Sequence, residues 1–219
     1  MNYVIAIVNP DALDTLTALC AQLSLPLTTV LHGHGTAVMS MLELLGIDSN
    51  EKRAVLSIAD EEKTAALLKE MKRRLHIGVP GHGIFAAVPV KSVGGGKAVA
   101  YLNGEGKPAK YTPVINTDYE LIVAIASSGC TDMVMNAARA AGARGGTVLH
   151  GKGTGADSVP SFYNISIAEE KELVLIVAAA AEKAAIMQAI LRAAGPGTEA
   201  GAIVFSLPVT EVAGFGMFD

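Results

Sequence analysis

Two short stretches of this chain combine residue types that could handle an anion. The first is HGKGTG, from His150 to Gly155. Glycine accepts positive φ and lets backbone amides approach a ligand closely, while Lys152 and Thr154 add donors, so the stretch reads as a phosphate cradle. It reads equally as a glycine-rich hairpin turn. It is not a P-loop, because no Gly-Lys-Ser/Thr sequence leads into a helix. The second stretch is AGPGTEAGA, from Ala194 to Ala202, immediately before an apolar segment. Histidine gives a different chemistry. His32 and His150 occupy matched positions, His34 follows the first, and neutral imidazole is a common metal ligand. The simpler reading is that His32 and His150 end strands and bond backbone groups, so no metal is expected; a site built from His32, His34 and His150 is the secondary reading. Cys20 and Cys130 are too few for a disulfide framework or a metal ribbon. Ser127 and Ser128 lack the Gly-x-Ser-x-Gly elbow. No nucleophile stands beside a base, so the chain is not expected to be an enzyme.

Composition narrows the classes further. Of 219 residues, 51% are hydrophobic and 17% charged, which excludes a disordered chain. A net charge of −4 argues against a nucleic-acid groove. No uncharged apolar run reaches the length of a membrane span, and the opening MNYVIAIVNPDALD lacks a basic n-region. The expectation is a cytoplasmic protein that neither enters a membrane nor binds nucleic acid.

The elements that would position these residues occur twice. TVLHGHGT (from Thr29) matches TVLHGKGT (from Thr147), and the matched histidines are 118 residues apart. NYVIAIVN matches YELIVAIAS, EKRAVLSI (from Glu51) matches EKELVLIV (from Glu170), and GVPGHGIFAAVPV matches GTEAGAIVFSLPV. Four matched segments in one order indicate duplication. Each copy reads strand, helix, two strands, helix, strand, so the fold class is α+β with two tandem ferredoxin-like βαββαβ domains. Asp11 or Asp14 would cap the first helix of copy one, and Thr131 or Asp132 that of copy two, which Gly142 closes. The domains would be 1–95 and 116–219. Residues 96–115 would be a Gly/Lys/Pro-rich linker with a short strand at AVAYLN. With helices on only one sheet face, the other would be bare and apolar and would need a partner, so oligomerisation or face-to-face packing of the copies is expected.

Copy two, through GGTVLHGKGTG, EEKELVLIV and GPGTEAGAIVFSLPV, resembles the P-II nitrogen-regulator superfamily over nearly all of residues 119–213. Copy one is similar and more diverged. The resemblance implies trimers of ferredoxin-like subunits that bind ATP or ADP in clefts between subunits. A Gly-rich segment at the base of a T-loop and a B-loop before the last strand hold the nucleotide. On that resemblance Gly151, Gly153 and Thr154 form the T-loop base. Gly197, Glu199 and Gly201 lie in the B-loop, and Thr147 is an adenine contact. The copy-one counterparts are Gly33, Gly35, Thr36, Gly78 and Gly81.

This sequence departs from the pattern at instructive places. The B-loop lysine is replaced by Ala202 in copy two and Gly83 in copy one, and the T-loop arginine by Thr154 and Thr36. The T-loops are short: GADSVPSFYN, and an apolar AVMSMLELLGIDSN that would be helical at VMSMLELLG. Tyr163 would be packed rather than a modification site. The expected function is a P-II-like regulator that binds ADP, AMP or ATP, with no obligatory cofactor. It would regulate an unidentified protein partner, in the nitrogen-metabolism setting of the family. The alternative is a ferredoxin-like trimeric metal or small-anion sensor without nucleotide binding. A homo-oligomer is expected, a trimer first and a dimer next.

Overall fold

The computed structural model describes residues 1–25, 28–36, 50–79, 81–90, 114–153, 161–162, 165–166 and 169–214. The expected strand at AVAYLN, the helix at VMSMLELLG, Thr154 and Tyr163 lie outside these residues, as does nearly all of the expected linker. The chain divides into two compact units. Unit one comprises Met1–His32, Val38–Tyr119 and Pro208–Asp219; unit two comprises Gly33–Ala37 and Glu120–Leu207.

Unit one begins with strand β1 (Asn2–Val8), a 3-10 turn (Pro10–Ala12), helix α1 (Leu13–Gln22) and strand β2 (Thr29–Gly35), whose last three residues belong to unit two. Strand β3 (Glu51–Ala59), helix α2 (Glu61–Arg74) and strand β4 (Gly83–Pro89) follow. The local code of α2 is plain. The Asp60 side chain accepts a hydrogen bond from the Lys63 amide at 2.8 Å. Glu61 and Glu62 occupy its positive end, and Lys72, Arg73 and Arg74 its negative end. Thr64, Leu67, Leu68 and Met71 recur at helical spacing and are its buried face. Helix α1 differs from expectation. Neither Asp11 nor Asp14 caps it, because Pro10 opens a 3-10 turn containing Asp11, and the α-helix starts only after that turn.

Unit two holds β5 (Tyr119–Ser127), α3 (Thr131–Ala140), β6 (Thr147–Gly153), a two-stranded hairpin of β7 (Ser161–Phe162) and β8 (Ile165–Ser166), β9 (Glu169–Ala179), α4 (Ala180–Ala194) and β10 (Ile203–Pro208). The last strand, β11 (Glu211–Ala213), belongs to unit one. Gly142, with φ of 109°, ends α3 as expected. Its amide bonds to Arg139 O at 3.0 Å and the Ala143 amide to Ala138 O at 3.0 Å, the paired bonds of a Schellman motif.

Strand order is β2-β3-β1-β4-β11 in unit one and β10-β5-β9-β6-β2 in unit two. Leaving aside the added edge strands, each unit places its fourth strand beside its first, then the third and the second. The printed pairings β1–β3, β1–β4 and β6–β9 are antiparallel. That is the ferredoxin-like βαββαβ arrangement in each unit. Strand β11 was not foreseen. It adds antiparallel to β4, with Glu211 opposite Ala87 and Ala213 opposite Phe85.

Each unit has its own core. Val4, Ala6 and Val8 pack with Leu16, Leu67 and Met71 in unit one; Ile122, Ala124 and Ala126 pack with Val134, Ile186 and Ile190 in unit two. The second face of the central strands is not exposed. The alternate residues on the same strands, Ile5 and Ile7 in β1 and Leu121 and Val123 in β5, are buried too. Both faces of these central strands are therefore buried. No helix among the described residues is long and apolar enough to cross a membrane.

Gly83 shows how tightly β4 meets β1. Its φ is 133°, and a Cβ placed there would lie 2.2 Å from Ile7 O. Gly78 has φ of 123° with open space around it. Alanine at Gly78 is therefore expected to cost about 1 kcal/mol of backbone strain, and alanine at Gly83 at least about twice that, because steric overlap adds to strain. Thermal melts of the two variants check the ranking.

Candidate ligand-binding site

The glycine-rich segments of unit two reach one end of its sheet. Lys152 pairs with Glu170 across β6 and β9. The Glu170 carbonyl accepts from the Ser128 amide at 3.2 Å, and the Ser127 amide donates to Ala200 O at 2.9 Å. The end of β6, the start of β9, the β5–α3 turn and the turn before β10 therefore lie abreast. Gly197 and Gly201 take φ of 91° and 52°, values that favour glycine. Thr198 holds the turn closed, its hydroxyl donating to Gly195 O at 2.8 Å.

Gly151 and Gly153 behave differently from the sequence reading. They continue the strand, paired with Lys171 and Glu169, and are not among the positive-φ glycines. Gly33 is also extended. Its need for glycine is close approach, since a Cβ would lie 2.3 Å from Val148 O and 2.7 Å from Leu149 Cδ2.

Other expected site residues lie elsewhere. Thr147 starts β6, six residues from Gly153, and is only 3% exposed. Gly35 pairs with it. The Thr36 hydroxyl donates to Gly146 O at 3.0 Å and accepts from the Gly146 amide at 2.9 Å, and Arg139 donates to Thr36 O. Thr36, Gly35 and Thr147 thus gather at the opposite end of β6 from Gly151, Lys152 and Gly153. Gly78 and Gly81 belong to unit one. Glu199 is exposed in the turn before β10. Ala202, the position of the family's B-loop lysine, is fully buried in the core of unit two.

At the end of unit two where the glycine segments lie, the sequence reading missed the central group. Glu172, on β9, is only 5% exposed. Its carboxylate accepts from the Gly129 amide at 2.9 Å, the Thr131 amide at 3.1 Å and the Thr131 hydroxyl at 2.6 Å. It thereby caps α3 from a neighbouring strand. Neither Thr131 nor Asp132 serves as the N-cap; that position is Cys130, without a side-chain cap. Burial pushes the Glu172 carboxyl upward, but the Thr131 hydroxyl, the two amides and His150 together hold it below the usual value. His150 pairs with Glu172 across the strands, and its Nδ1 lies 3.9 Å from Glu172 Oε1. His150 Nε2 is 3.2 Å from His34 Nδ1, with the rings stacked at 5.1 Å. Of the three histidines in the secondary metal reading, His34 and His150 meet, while His32 belongs to unit one. Among the described residues no three His, Cys, Asp or Glu side chains cluster as metal ligands.

A second feature recurs in both units. In unit one Lys52 donates to Asn9 Oδ1, and Asn9 Nδ2 donates to Gly81 O at 3.2 Å. In unit two Lys171 Nζ donates to Ser127 Oγ at 3.3 Å, and the Ser127 amide reaches Ala200 O. The third-strand lysine, the end of the first strand and the last turn are tied together in each. The shared Glu-Lys that opens EKRAVLSI and EKELVLIV was the available signal. Burial holds the Lys52 ammonium below the ordinary lysine value, opposed by Asp11. The next position inverts charge, with Arg53 in unit one where unit two has Glu172.

Removing the Glu172 carboxylate leaves two amides and a hydroxyl without their acceptor. Glu172→Ala is expected to cost about 1–3 kcal/mol in denaturant unfolding. Because the folded carboxyl is depressed, the wild type's advantage over Glu172→Gln is full at neutral pH. It fades as pH falls below about 4.3, the ordinary glutamate value, and through the lower folded one. Unfolding midpoints of the two proteins across pH 2–7 check both signs.

Residues 119–215 match the family model described as Nitrogen regulatory protein P-II. No curated protein matches the chain. The match spans the strands, helices and glycine turns of unit two together with β11, and the first half of the chain repeats the same element and strand order. Residues 119–215 are P-II-like: over this segment, less than half of the chain, the sequence is similar to the nitrogen regulatory protein P-II family.

Proposed function

We propose that this protein is a P-II-like regulator that binds an adenine nucleotide (ADP, AMP or ATP) at the Gly151–Gly153 and Gly197–Gly201 end of unit two. It relays the bound state to a protein partner. The observation that carries this reading is the convergence of the two glycine segments on one sheet end, through the Lys152–Glu170–Ser128 and Ser127–Ala200 links. Strands β9 and β5 separate the segments, a distance of roughly 14 Å at about 4.8 Å per strand. A ligand touching both is therefore elongated and carries different chemistry at its two ends, as a nucleotide does. Lys171, tied through Ser127 to the turn, and Lys152, on the opposite sheet face at the end of β6, supply positive charge there, and the positive-φ glycines of the turn let backbone approach a phosphate. Glu172 already caps the N-terminus of α3, which supports a phosphate position nearer the turn and Lys171 than the helix. The buried Ala202 removes the family's phosphate-reaching lysine, which favours ADP or AMP over ATP.

A regulator of this kind works by differential affinity for two states of the surface that its partner reads. No obligatory cofactor and no catalytic step enter the proposal. Assembly of the chain into a trimer and a role in nitrogen metabolism follow from the family alone and are proposed on that basis.

Isothermal titration of nucleotide-stripped protein with ATP, ADP and AMP, with and without magnesium, tests the reading. Micromolar binding is expected, weakened about tenfold (about 1.4 kcal/mol) by Lys152→Glu and comparably by Gly201→Val. Thr36→Val should leave it unchanged, since Thr36 is engaged by Gly146. Absence of binding for all three nucleotides, or binding indifferent to Lys152→Glu and Gly201→Val, contradicts it.

A further inference from the structure

The imidazole pair in unit two is not accounted for by the nucleotide reading. His34 is on β2 and His150 on β6. Because His34 pairs with Val148 in the antiparallel register, His150 is its diagonal neighbour on the same sheet face. The facing atoms are His34 Nδ1 and His150 Nε2, 3.2 Å apart. Two nitrogens each about 2.0–2.1 Å from a tetrahedral zinc ion stand roughly 3.3 Å apart, so the observed gap already has the width of a two-imidazole chelate.

A second observation bears on how the His150 ring is oriented. The other nitrogen of His150, Nδ1, faces the Glu172 carboxylate at 3.9 Å. That carboxylate is held in place by the Gly129 and Thr131 amides and the Thr131 hydroxyl. A carboxylate opposite Nδ1 favours the tautomer with its proton on Nδ1, which leaves a lone pair on Nε2 aimed at His34. Carboxylate, imidazole and metal in line is the arrangement by which proteins orient a histidine ligand and raise its basicity. His34 can likewise carry its proton on Nε2 and present the Nδ1 lone pair. Two lone pairs directed at one another at this distance are stabilised by a cation between them.

We propose that His34 Nδ1 and His150 Nε2 chelate a divalent transition-metal ion of the zinc class, with Glu172 as the orienting carboxylate. Two protein nitrogens leave at least two coordination positions for water or an exogenous ligand. The ion is therefore exchangeable rather than structural, and the His150 side chain is half-exposed, which gives it access. The copy-one repeat cannot reproduce the site, because the residue matched to Glu172 is Arg53 and would repel a cation.

The test uses the full chain, stripped with chelator, and zinc alone as probe. Calorimetry is expected to give one zinc per chain with micromolar affinity. His34→Ala and His150→Ala should each weaken it at least tenfold, Glu172→Gln about tenfold, and His76→Ala not at all. The histidine substitutions are at solvent-accessible positions, and thermal melts without zinc establish that each variant is folded. A measurement on the wild type removes dependence on the variants. In ¹⁵N-histidine spectra, zinc should move the His34 Nδ1 and His150 Nε2 resonances and leave those of His76 and His82 in place. Absence of zinc binding, binding unchanged in both His34→Ala and His150→Ala, or shifts confined to other histidines would overturn the proposal. Nucleotide titration is a separate readout, so failure here leaves the reading of the glycine turns untouched.

Discussion

A carboxylate placed almost out of water must be satisfied by the groups around it, and in unit two that group is Glu172. The isolated charge would cost several kcal/mol to bury; two backbone amides and the Thr131 hydroxyl offset that cost. Those partners come from the β5–α3 turn, so β9 fixes where α3 starts. The same turn supplies Ser127 and Ser128, which bond the last turn and β9. One side chain therefore locks three connections into a common arrangement at the sheet end where the glycine segments meet. The carboxylate also faces His150 Nδ1 at 3.9 Å. Unit one lacks this device, since Arg53 stands in its place and α1 begins from a 3-10 turn without a side-chain cap.

The glycines divide into two physical kinds. Those before the last strand of each unit, including Gly78, Gly81, Gly197 and Gly201, take left-handed backbone that other residues adopt only with strain. Gly33, Gly151 and Gly153 continue strands instead. Gly33 is required because β2 passes too close to Val148 for any Cβ. A glycine-rich sequence thus reads as a loop when its spacing is all that is known, yet pairing with a neighbouring strand can draw the same residues into a sheet. The consequence for binding is that irregular backbone at this end comes from the turn before β10 and the β5–α3 turn, where Gly129 has φ of 85°, and the β6 side contributes Lys152 and His150.

Much of the fold was legible. The repeat, the period-2 apolar strands and helices such as Glu61–Arg74 with acidic starts and basic ends all agree with one topology, as consistent local signals should. Gly142 closed its helix as expected. What was not legible depended on partners distant in sequence. Strand β11 has three residues, too few for a periodic pattern. The burial of Ile5, Ile7, Leu121 and Val123 is a property of packing and cannot be seen in a strand read alone. At the site, Lys152 and the turn glycines were visible in composition. Thr36 and Thr147 lie at the other end of β6, the first with its hydroxyl engaged by Gly146 and the second buried, which resemblance alone does not reveal. Glu172 gave no local signal beyond replacing Arg53 in the repeat, and its role appears only when β9 is set beside the start of α3.

The central claim is that ligand binding is concentrated at the end of unit two where residues 127–131, 150–153, 169–172 and 195–201 converge. Hydrogen–deuterium exchange with and without ADP tests it directly, because backbone protection reports location without any substitution. The account predicts slowed exchange in those four segments, with Thr36 and Gly146 at the opposite end unchanged. Protection centred on the Thr36–Gly146 end, or none in the four segments at saturating ADP, would contradict it.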